Sequence, residues 1–241
     1  MGNALALGAS AARLVGSSPT LPTKHMTKQE QLDALKDEMA RDASLPLATN
    51  LIFGEGNPDC DVLFVGEAPG MNEDIQTRPF VGRGGQLLRQ MIREIGWREE
   101  DVYITNIVKR RPPDNRDPLP EEIAAYQPYL TRQIEIIDSK VIVALGRFSM
   151  NYFLPDAKIT RDQGKAFRLP RPFDGSQGRG ETVLIVPVFH PAAALRNPEV
   201  KKEFEASFKK LPDIIAGKGT AIVLPPARKE PPGPPPQPKL F

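Results

Sequence analysis

The residues of this sequence that are best suited to chemistry lie in four short motifs, each directly after an apolar run. The motifs are GEAPG (Gly66–Gly70), Thr105-Asn106 followed by KRRPPDNR (Lys109–Arg116), Gly146-Arg147, and FHPAAALRNP (Phe189–Pro198). Together they hold carboxylates, amides, a histidine and several cations. Such side chains transfer protons, stabilise anions and bind phosphates. We therefore treat the four motifs as parts of one candidate site.

Two of these residues allow both a structural and a catalytic interpretation. Glu67 lies in a Gly-x-x-Pro-Gly turn, where its carboxylate is either a base or a group that caps the turn. His190 precedes a proline and is either a hydrogen-bonded structural residue or a neutral imidazole that donates to a developing anion. Residue type and spacing alone leave both alternatives open.

The basic segment KRRPPDNR has three possible interpretations. Short basic clusters match nuclear-import signals by chance, and charge runs usually lie on a solvated surface. The two prolines and Asn115 instead favour a rigid loop whose arginines meet phosphates.

An α/β fold with a parallel sheet is needed to bring these motifs together. The four apolar runs are rich in β-branched residues and alternate little, as is typical of strands covered on both faces. We predict a three-layer α/β/α domain around a central, mostly parallel four-stranded sheet. The predicted strands are Val62–Val65, Val102–Val108, Val141–Leu145 and Val183–Val188; the predicted helices are about Lys28–Arg41, Gln86–Ile95, Glu121–Asp138, Arg147–Leu154 and Glu199–Ile215, with a break or kink at Pro128. Ligands of such sheets bind beyond the carboxyl ends of the strands, where all four motifs lie.

Composition narrows the class of protein and the kinds of site. The 241 residues are 40% hydrophobic and 26% charged with a net charge of +2, so a soluble protein is expected and bulk charge does not indicate nucleic-acid binding. A single cysteine, Cys60, excludes a disulfide within the chain and an all-cysteine metal site, and fits a reducing cytoplasm. With only two histidines, a zinc site is not expected.

The sequence divides into three parts. Residues 1–26 are expected to be a disordered leader, residues 27–218 the folded domain, and residues 219–241 a proline-rich, extended tail.

The ordered set of motifs resembles the uracil-DNA glycosylase superfamily, specifically its family-4 branch. It comprises LIFGEGNP, VLFVGEAPG, RPFVGRGGQLL, VYITNIVKRRPPDNR, KVIVALG, ITRDQGK and FHPAAALRNP. The resemblance covers about Ala43 to Ile215. It implies an enzyme of base excision repair that flips uracil out of DNA and hydrolyses its N-glycosidic bond, leaving an abasic site.

The resemblance also implies roles for individual residues. Phe80 matches the aromatic that stacks on uracil, Asn106 the amide that reads the pyrimidine edge, and His190 the residue that stabilises the departing anion. Further residues expected around the base are Gly66, Ala68, Glu73 and Asn115. Leu195 and Arg196 would enter the duplex and fill the vacated stack. The cations expected to meet phosphate are Arg83, Lys109, Arg111 and Arg116.

The group that activates water is less well defined by the resemblance. Some members of the superfamily carry Asp or Asn directly after the Glu67 position, whereas this chain has Ala68. Glu67 and Glu73 remain as candidates, and we expect Glu67 and His190 to carry the catalysis.

One family property is not expected here. Family-4 enzymes hold a four-iron, four-sulfur cluster with four cysteines, and the aligned positions in this chain are Asp42, Leu45, Arg110 and Tyr126. Because such a cluster needs about four thiolates, we expect no cofactor. We expect packing of Leu45 and Tyr126 and an Asp42–Arg110 ion pair in its place.

The chain ends in QPKLF, which resembles the short motif by which bacterial repair and replication proteins bind the sliding clamp. Gln237 would bond at a pocket rim while Leu240 and Phe241 fill an apolar cleft; the alternative is an ordinary low-complexity terminus. The tail and the resemblance together favour a monomeric, cytoplasmic, nucleoid-associated bacterial protein whose partner is uracil-containing DNA, without a membrane.

Two other functions stay open at this point. One is a glycosylase for another deaminated base, such as hypoxanthine or xanthine. The other is a catalytically silent relative that binds DNA. Phe80 and Asn106 favour a pyrimidine, and the retained Glu67 and His190 favour catalysis.

Overall fold

The computed structural model describes residues 26–170, 182–218 and 220–223. The expected leader lies outside these ranges apart from Met26, and the expected tail lies outside them from residue 224 onward. Within them the chain forms a seven-stranded sheet between two layers of helices. The predicted three-layer α/β/α class is therefore confirmed.

The helices and strands alternate along the chain. The helices are α1 Lys28–Arg41, α2 Met71–Gln76, α3 Arg83–Glu94, α4 Pro120–Ile137, α5 Gly146–Phe153, α6 Ile159–Asp162, α7 Pro191–Ala194, α8 Pro198–Phe208 and α9 Leu211–Ile215. The strands are β1 Glu55–Gly56, β2 Val62–Gly66, β3 Tyr103–Asn106, β4 Val141–Leu145, β5 Phe167–Pro170, β6 Thr182–Val188 and β7 Ile222–Val223. Helix α1 begins at the predicted capping box, in which Thr27 and Glu30 bond each other's backbone amides.

The sheet has the strand order β1-β3-β2-β4-β6-β5-β7. The four predicted strands form its parallel centre. β1 pairs antiparallel with β3 at one edge, and on the other side β5 pairs antiparallel with β6 and carries the edge strand β7. The prediction of four strands missed β1, β5 and β7. β1 and β7 have only two residues each, and in the four-residue β5 only Phe167 is buried, so none of the three produces a clear hydrophobic pattern. All four central strands have their carboxyl ends at one edge, as the site prediction requires.

Both faces of the central sheet are covered, which explains the continuous apolar strands. Leu63 and Val65 of β2 face one core with α1, α4 and α5, while Val62 and Phe64 face the other with α3 and α8. Successive side chains of a strand point to opposite faces, so both sets must be apolar.

Two helix predictions need correction. Helix α4 runs through Pro128 without a break, and its residues on both sides of the proline pack against the sheet; a kink at Pro128 stays a prediction. The predicted helix Glu199–Ile215 is two helices, because Pro212 lacks an N–H and would clash with the carbonyl four residues earlier. In the described ranges, no helix has the length and apolar character needed to cross a membrane.

Candidate active site

A cavity of about 770 Å³ lies at the carboxyl edge of the parallel strands. Each of the four motifs contributes to its lining: Glu67 after β2, Asn106 at the end of β3, Gly146 after β4 and His190 after β6. Because all four central strands are parallel, chemistry-bearing residues far apart in sequence meet here.

Asn106 is buried with one polar atom left unbonded. It is the last residue of β3, pairs in register with Gly66 of β2, and is 2% exposed. Within the described part of the chain, its Oδ1 has no hydrogen-bond partner. A Cβ on Gly66 would collide with that oxygen and with the ring of Phe80, so only glycine fits there. A buried unbonded amide oxygen costs free energy unless a ligand supplies the donor.

Phe80 forms an aromatic wall beside this amide. The ring of Phe80 lies against Gly66. The centroids of the Phe80 and His190 rings are 6.0 Å apart. The backbone of Phe80 has a φ of 53°, in the left-handed region that aromatic residues seldom adopt. The ring, the Asn106 amide and His190 therefore surround one space.

His190 is held as a neutral donor. Its Nδ1 accepts a hydrogen bond from the backbone N–H of Ala192 at 3.2 Å, at the start of α7. Burial lowers the pKa of His190 to about 4, and nearby Arg196 acts in the same direction. With Nδ1 accepting, the single proton of the neutral ring resides on Nε2, which is free to donate.

Glu67 has the opposite shift. Burial, helped by the neighbouring Asp117 carboxylate and opposed by Arg147, raises the pKa of Glu67 to about 7. A carboxyl group poised near neutral pH in a cavity fits a role in proton transfer or in stabilising a cation.

Glu73 lines the cavity, but its carboxylate is engaged with the backbone. It accepts hydrogen bonds from the amides of Val81 at 2.8 Å, Gly82 at 2.7 Å and Gly70 at 3.2 Å. These bonds tie the loop that carries Phe80 to the start of α2. The carboxylate of Glu73 therefore positions this loop, and which carboxylate acts on water stays a prediction.

Several of the expected DNA contacts surround the opening. Arg83, Arg116 and Arg196 line the cavity, and Leu195 is 40% exposed just after α7. Asn115 also lines the cavity, and its Oδ1 accepts a bond from Arg111 Nε at 2.7 Å. Ala68 lies next to Glu67 in the wall. Their roles in binding DNA or the base stay predictions.

The prediction that Lys109 contacts DNA is wrong. Its side chain is fully buried, and its Nζ lies 2.5 Å from both Thr105 Oγ1 and Gln133 Oε1. Burial holds the pKa of Lys109 well below its usual range. Thr105, a residue of β3, also donates to the carbonyl of Phe53 at 2.7 Å. Through its contact with Thr105, the buried lysine therefore stabilises the end of β3.

The four positions that align with the family's cluster cysteines do not fit such a cluster. None is a thiolate, and Cys60 lies buried elsewhere in the core. The expected Asp42–Arg110 ion pair is wrong: Asp42 instead accepts from Tyr129 at 2.6 Å and from Ser44, while Arg110 donates to the carbonyl of Thr49.

The other two of these positions do pack as expected. Tyr126 is buried and donates to the carbonyl of Pro46 at 2.7 Å. Leu45 packs against the same core. Within the described ranges, no group of three or more His, Cys, Asp or Glu side chains is placed to hold a metal ion.

Two charged residues near Glu67 had no predicted role: Arg147 was named only as part of the third motif, and Asp117 was not named at all. Arg147 Nη2 lies 2.5 Å from Asp117 Oδ2, and both residues line the cavity. The signal for Arg147 was its place directly after β4, in the third motif. Asp117 follows KRRPPDNR and gave no signal of its own.

The cavity thus combines an aromatic wall, an amide with an unbonded oxygen and a histidine whose pKa is lowered, at the carboxyl ends of the parallel strands. The chain belongs to the uracil-DNA glycosylase superfamily: residues 53–211 match the family model described as Uracil DNA glycosylase superfamily.

Relatives named Type-4 uracil-DNA glycosylase are similar over most of the chain. The protein of Archaeoglobus fulgidus is 43% identical over 175 residues, which are 70% of this chain and 84% of the relative. That of Sulfurisphaera tokodaii is 43% identical over 194 residues, 77% of this chain and 85% of the relative. That of Thermotoga maritima is 44% identical over 176 residues, 71% of this chain and 86% of the relative.

Replacing Glu67 with glutamine should change the pH dependence of stability. Because the pKa of Glu67 is raised from 4.5 to about 7, the folded protein binds more protons than the unfolded chain between these values. Its stability contribution is therefore lost as pH rises through 7. We expect Glu67→Gln to be more stable than the parent by about 1–2 kcal/mol at pH 8, and by less at pH 5.

Denaturant unfolding at pH 5 and pH 8 measures this difference. Glu121→Gln, an exposed change in the first turn of α4, is the matched control, and it should shift the free energy of unfolding by nearly the same amount at both pH values. If the free energies of unfolding of Glu67→Gln and the parent differ by the same amount at pH 5 and at pH 8, the raised pKa of Glu67 is contradicted.

Proposed function

We propose that this protein hydrolyses the N-glycosidic bond of deoxyuridine in DNA, releasing uracil and leaving an abasic site. The observation that carries the proposal is the buried, unbonded Oδ1 of Asn106 beside the Phe80 ring. Uracil presents an N–H donor next to a carbonyl on one edge, and a side-chain amide complements both. The flipped base would place this edge on Asn106 and one of its faces on Phe80.

His190 would act on the opposite edge of the base. When the bond between C1′ and N1 breaks, its electron pair stays on uracil, and negative charge develops on N1 and O2. The Nε2–H of a neutral imidazole donates to this anion without transferring a proton in the ground state. The low pKa of His190 keeps the ring neutral at physiological pH.

Glu67 would act on the sugar and the water. Bond cleavage leaves positive charge on C1′ and the ring oxygen, which an ionised carboxylate in the cavity stabilises. Water adds to C1′ and gives its proton to Glu67 or to solvent. We therefore expect the rate to rise as pH passes 7, and this rise to be absent in Glu67→Gln.

The test is release of base from single- and double-stranded oligonucleotides that carry uracil, hypoxanthine or xanthine, with undamaged DNA as control. We expect release from uracil alone. Hypoxanthine presents a similar N–H and carbonyl pair on a larger ring, so faster release of hypoxanthine would assign the site to that base instead. A folded protein that releases no base would overturn the proposal and point to a DNA-binding relative.

We further propose that the activity needs no iron–sulfur cluster. Asp42, Leu45, Arg110 and Tyr126 supply no thiolate, and direct hydrogen bonds from Tyr126 and Tyr129 link α4 to the segment after α1. Iron analysis of the purified protein should find less than one iron per chain. Four irons per chain with activity lost on their removal would refute this.

We also propose that the tail binds the sliding clamp through Gln237, Leu240 and Phe241, which lie outside the described residues. The support is the QPKLF sequence at the end of a proline-rich spacer, because tethering raises the local concentration of enzyme at DNA. In this proposal the protein is a cytoplasmic monomer that works at the nucleoid. A pull-down of the clamp by the full chain but not by a chain lacking the last five residues is expected, and equal recovery would end the idea.

A further inference from the structure

Phe80 combines an unfavourable backbone with a tightly packed environment. Its φ of 53° is costly for an aromatic residue, and such a conformation persists only when the surroundings fix it. A Cβ on Gly85, in the first turn of α3, would collide with the carbonyl group of Phe80. The loop therefore lies directly on the helix, and small shifts of either would move the ring.

Arg89 of α3 holds the carbonyl side of this loop. Its Nε donates to the Phe80 carbonyl at 3.0 Å, and its Nη2 donates to the Pro79 carbonyl at 2.9 Å. Its charge is balanced by Glu55, which pairs with Nη2, and by Glu99, which lies 2.5 Å from Nη1. The side chain is only 12% exposed, so the guanidinium is fixed with all three nitrogens engaged.

Glu73 holds the amide side of the same loop. Its Oε1 accepts from the N–H groups of Val81 and Gly82, the two residues after Phe80. A buried cation thus binds the two carbonyls at and before Phe80, and an anion binds the two amides after it. We call Arg89 and Glu73 together the Phe80 brace.

We propose that Arg89 is a positioning residue for base excision, which holds the Phe80 ring where the flipped base stacks. This inference rests on the proposed function. Only arginine supplies a planar fork that reaches two carbonyls and two carboxylates at once, whereas a lysine ammonium is a point donor. Arg89→Lys keeps the charge but loses the fork, so it isolates the geometric role.

Arg93 provides a matched control for the ion pairs. It lies one turn further along α3 and also pairs with Glu99, but it is 57% exposed, and none of its bonds within the described residues reaches the Phe80 loop. If activity were lost only because the ion pairs with Glu99 are weakened, the loss would appear in Arg93→Lys as well as in Arg89→Lys.

The experiment is a double-mutant cycle on the single-turnover rate of uracil release, with the full chain and enzyme in excess. We expect Phe80→Leu to lower the rate about 10–100-fold through lost stacking. We expect Arg89→Lys to lower it about tenfold through misplacement of the ring. If Arg89 acts through Phe80, the double variant has the rate of Phe80→Leu alone, because coupled residues are non-additive. Arg93→Lys should retain the parent rate.

The competing results are distinct. The positioning role would be overturned if Arg89→Lys released uracil as fast as the parent. It would also be overturned if the fold-losses of the two single variants multiplied in the double variant. No uracil release by the parent protein would instead overturn the proposed function. If circular dichroism shows Arg89→Lys unfolded at the assay temperature, Glu99→Gln replaces it, since Glu99 orients the guanidinium. We expect Glu99→Gln to lower the single-turnover rate about threefold, since one ion pair is weakened. In the Phe80→Leu background the same change should leave the rate unaltered.

Discussion

Replacing His190 with alanine should lower the single-turnover rate of uracil release by about 10²–10³-fold, the usual cost of removing one donor to a developing oxyanion. In the proposed mechanism the Nε2–H of the neutral ring donates to the base, because Nδ1 already accepts from the Ala192 amide. Binding of the variant to an abasic duplex should stay within about threefold of the parent, since phosphate contacts dominate affinity for DNA.

The pH profile separates this role from general acid catalysis. A histidine that must be protonated in the ground state would lose activity as pH rises above its pKa. With the pKa of His190 near 4, the donor is neutral across pH 5 to 8, and the rate should not fall in this range on account of His190. A rate that falls as pH rises through 6 in the parent, but not in His190→Ala, would contradict a neutral donor.

The same pKa predicts a stability effect. The folded protein binds fewer protons than the unfolded chain between pH 4 and the ordinary histidine pKa of about 6.5, so stability rises with pH across this window. The stabilisation is lost as pH falls through it. The free energy of unfolding of the parent minus that of His190→Ala should therefore increase as pH rises from 4 to 6.5, and denaturant unfolding of both proteins across this range measures it.

Replacing Asn106 with leucine should abolish most activity without loss of stability. We expect the rate of uracil release to fall at least about 10²-fold, because both bonds to the base edge disappear. The free energy of unfolding should be unchanged or higher, because an unbonded buried oxygen is removed and a side chain of similar size remains. Chemical denaturation and single-turnover kinetics on the same samples measure the two effects.

Asn151→Leu on the exposed side of α5 is the matched control, with no effect on rate expected. A destabilised Asn106→Leu would mean that the amide serves the fold. A variant that keeps its rate would mean that another group reads the base.

The KRRPPDNR segment illustrates what a sequence leaves undecided. Its four cations have four different environments: Lys109 inside the core, Arg110 on the Thr49 carbonyl, Arg111 on Asn115, and Arg116 on the Glu122 carboxylate. Glu122 pairs with Arg116 at 2.6 Å and, like Lys109, is almost fully buried. In the sequence all four look like similar exposed charges. Their environments cannot be predicted from it, because burial depends on neighbours such as Gln133 that lie far along the chain.

The site was predicted most completely where a residue lies at or just beyond the carboxyl end of a strand. Glu67, Asn106 and His190 have such places, and parallel strands bring them to one edge. The resemblance added Phe80, which follows no strand. Arg89 and Asp117 were missed, because their importance depends on which backbone groups and side chains the folded loops bring to them.

By itself, the sequence determined the class of fold, the central strands, the family and the residues that meet at the carboxyl edge. These follow from local hydrophobic patterns and from an ordered set of motifs, which need no knowledge of distant contacts. Only the tertiary structure decided the direction in which the pKa values of His190 and Glu67 shift, the unbonded oxygen of Asn106, and the brace on Phe80. Desolvation and hydrogen bonding depend on which distant groups share one small volume, and a chain acquires that arrangement only when it folds.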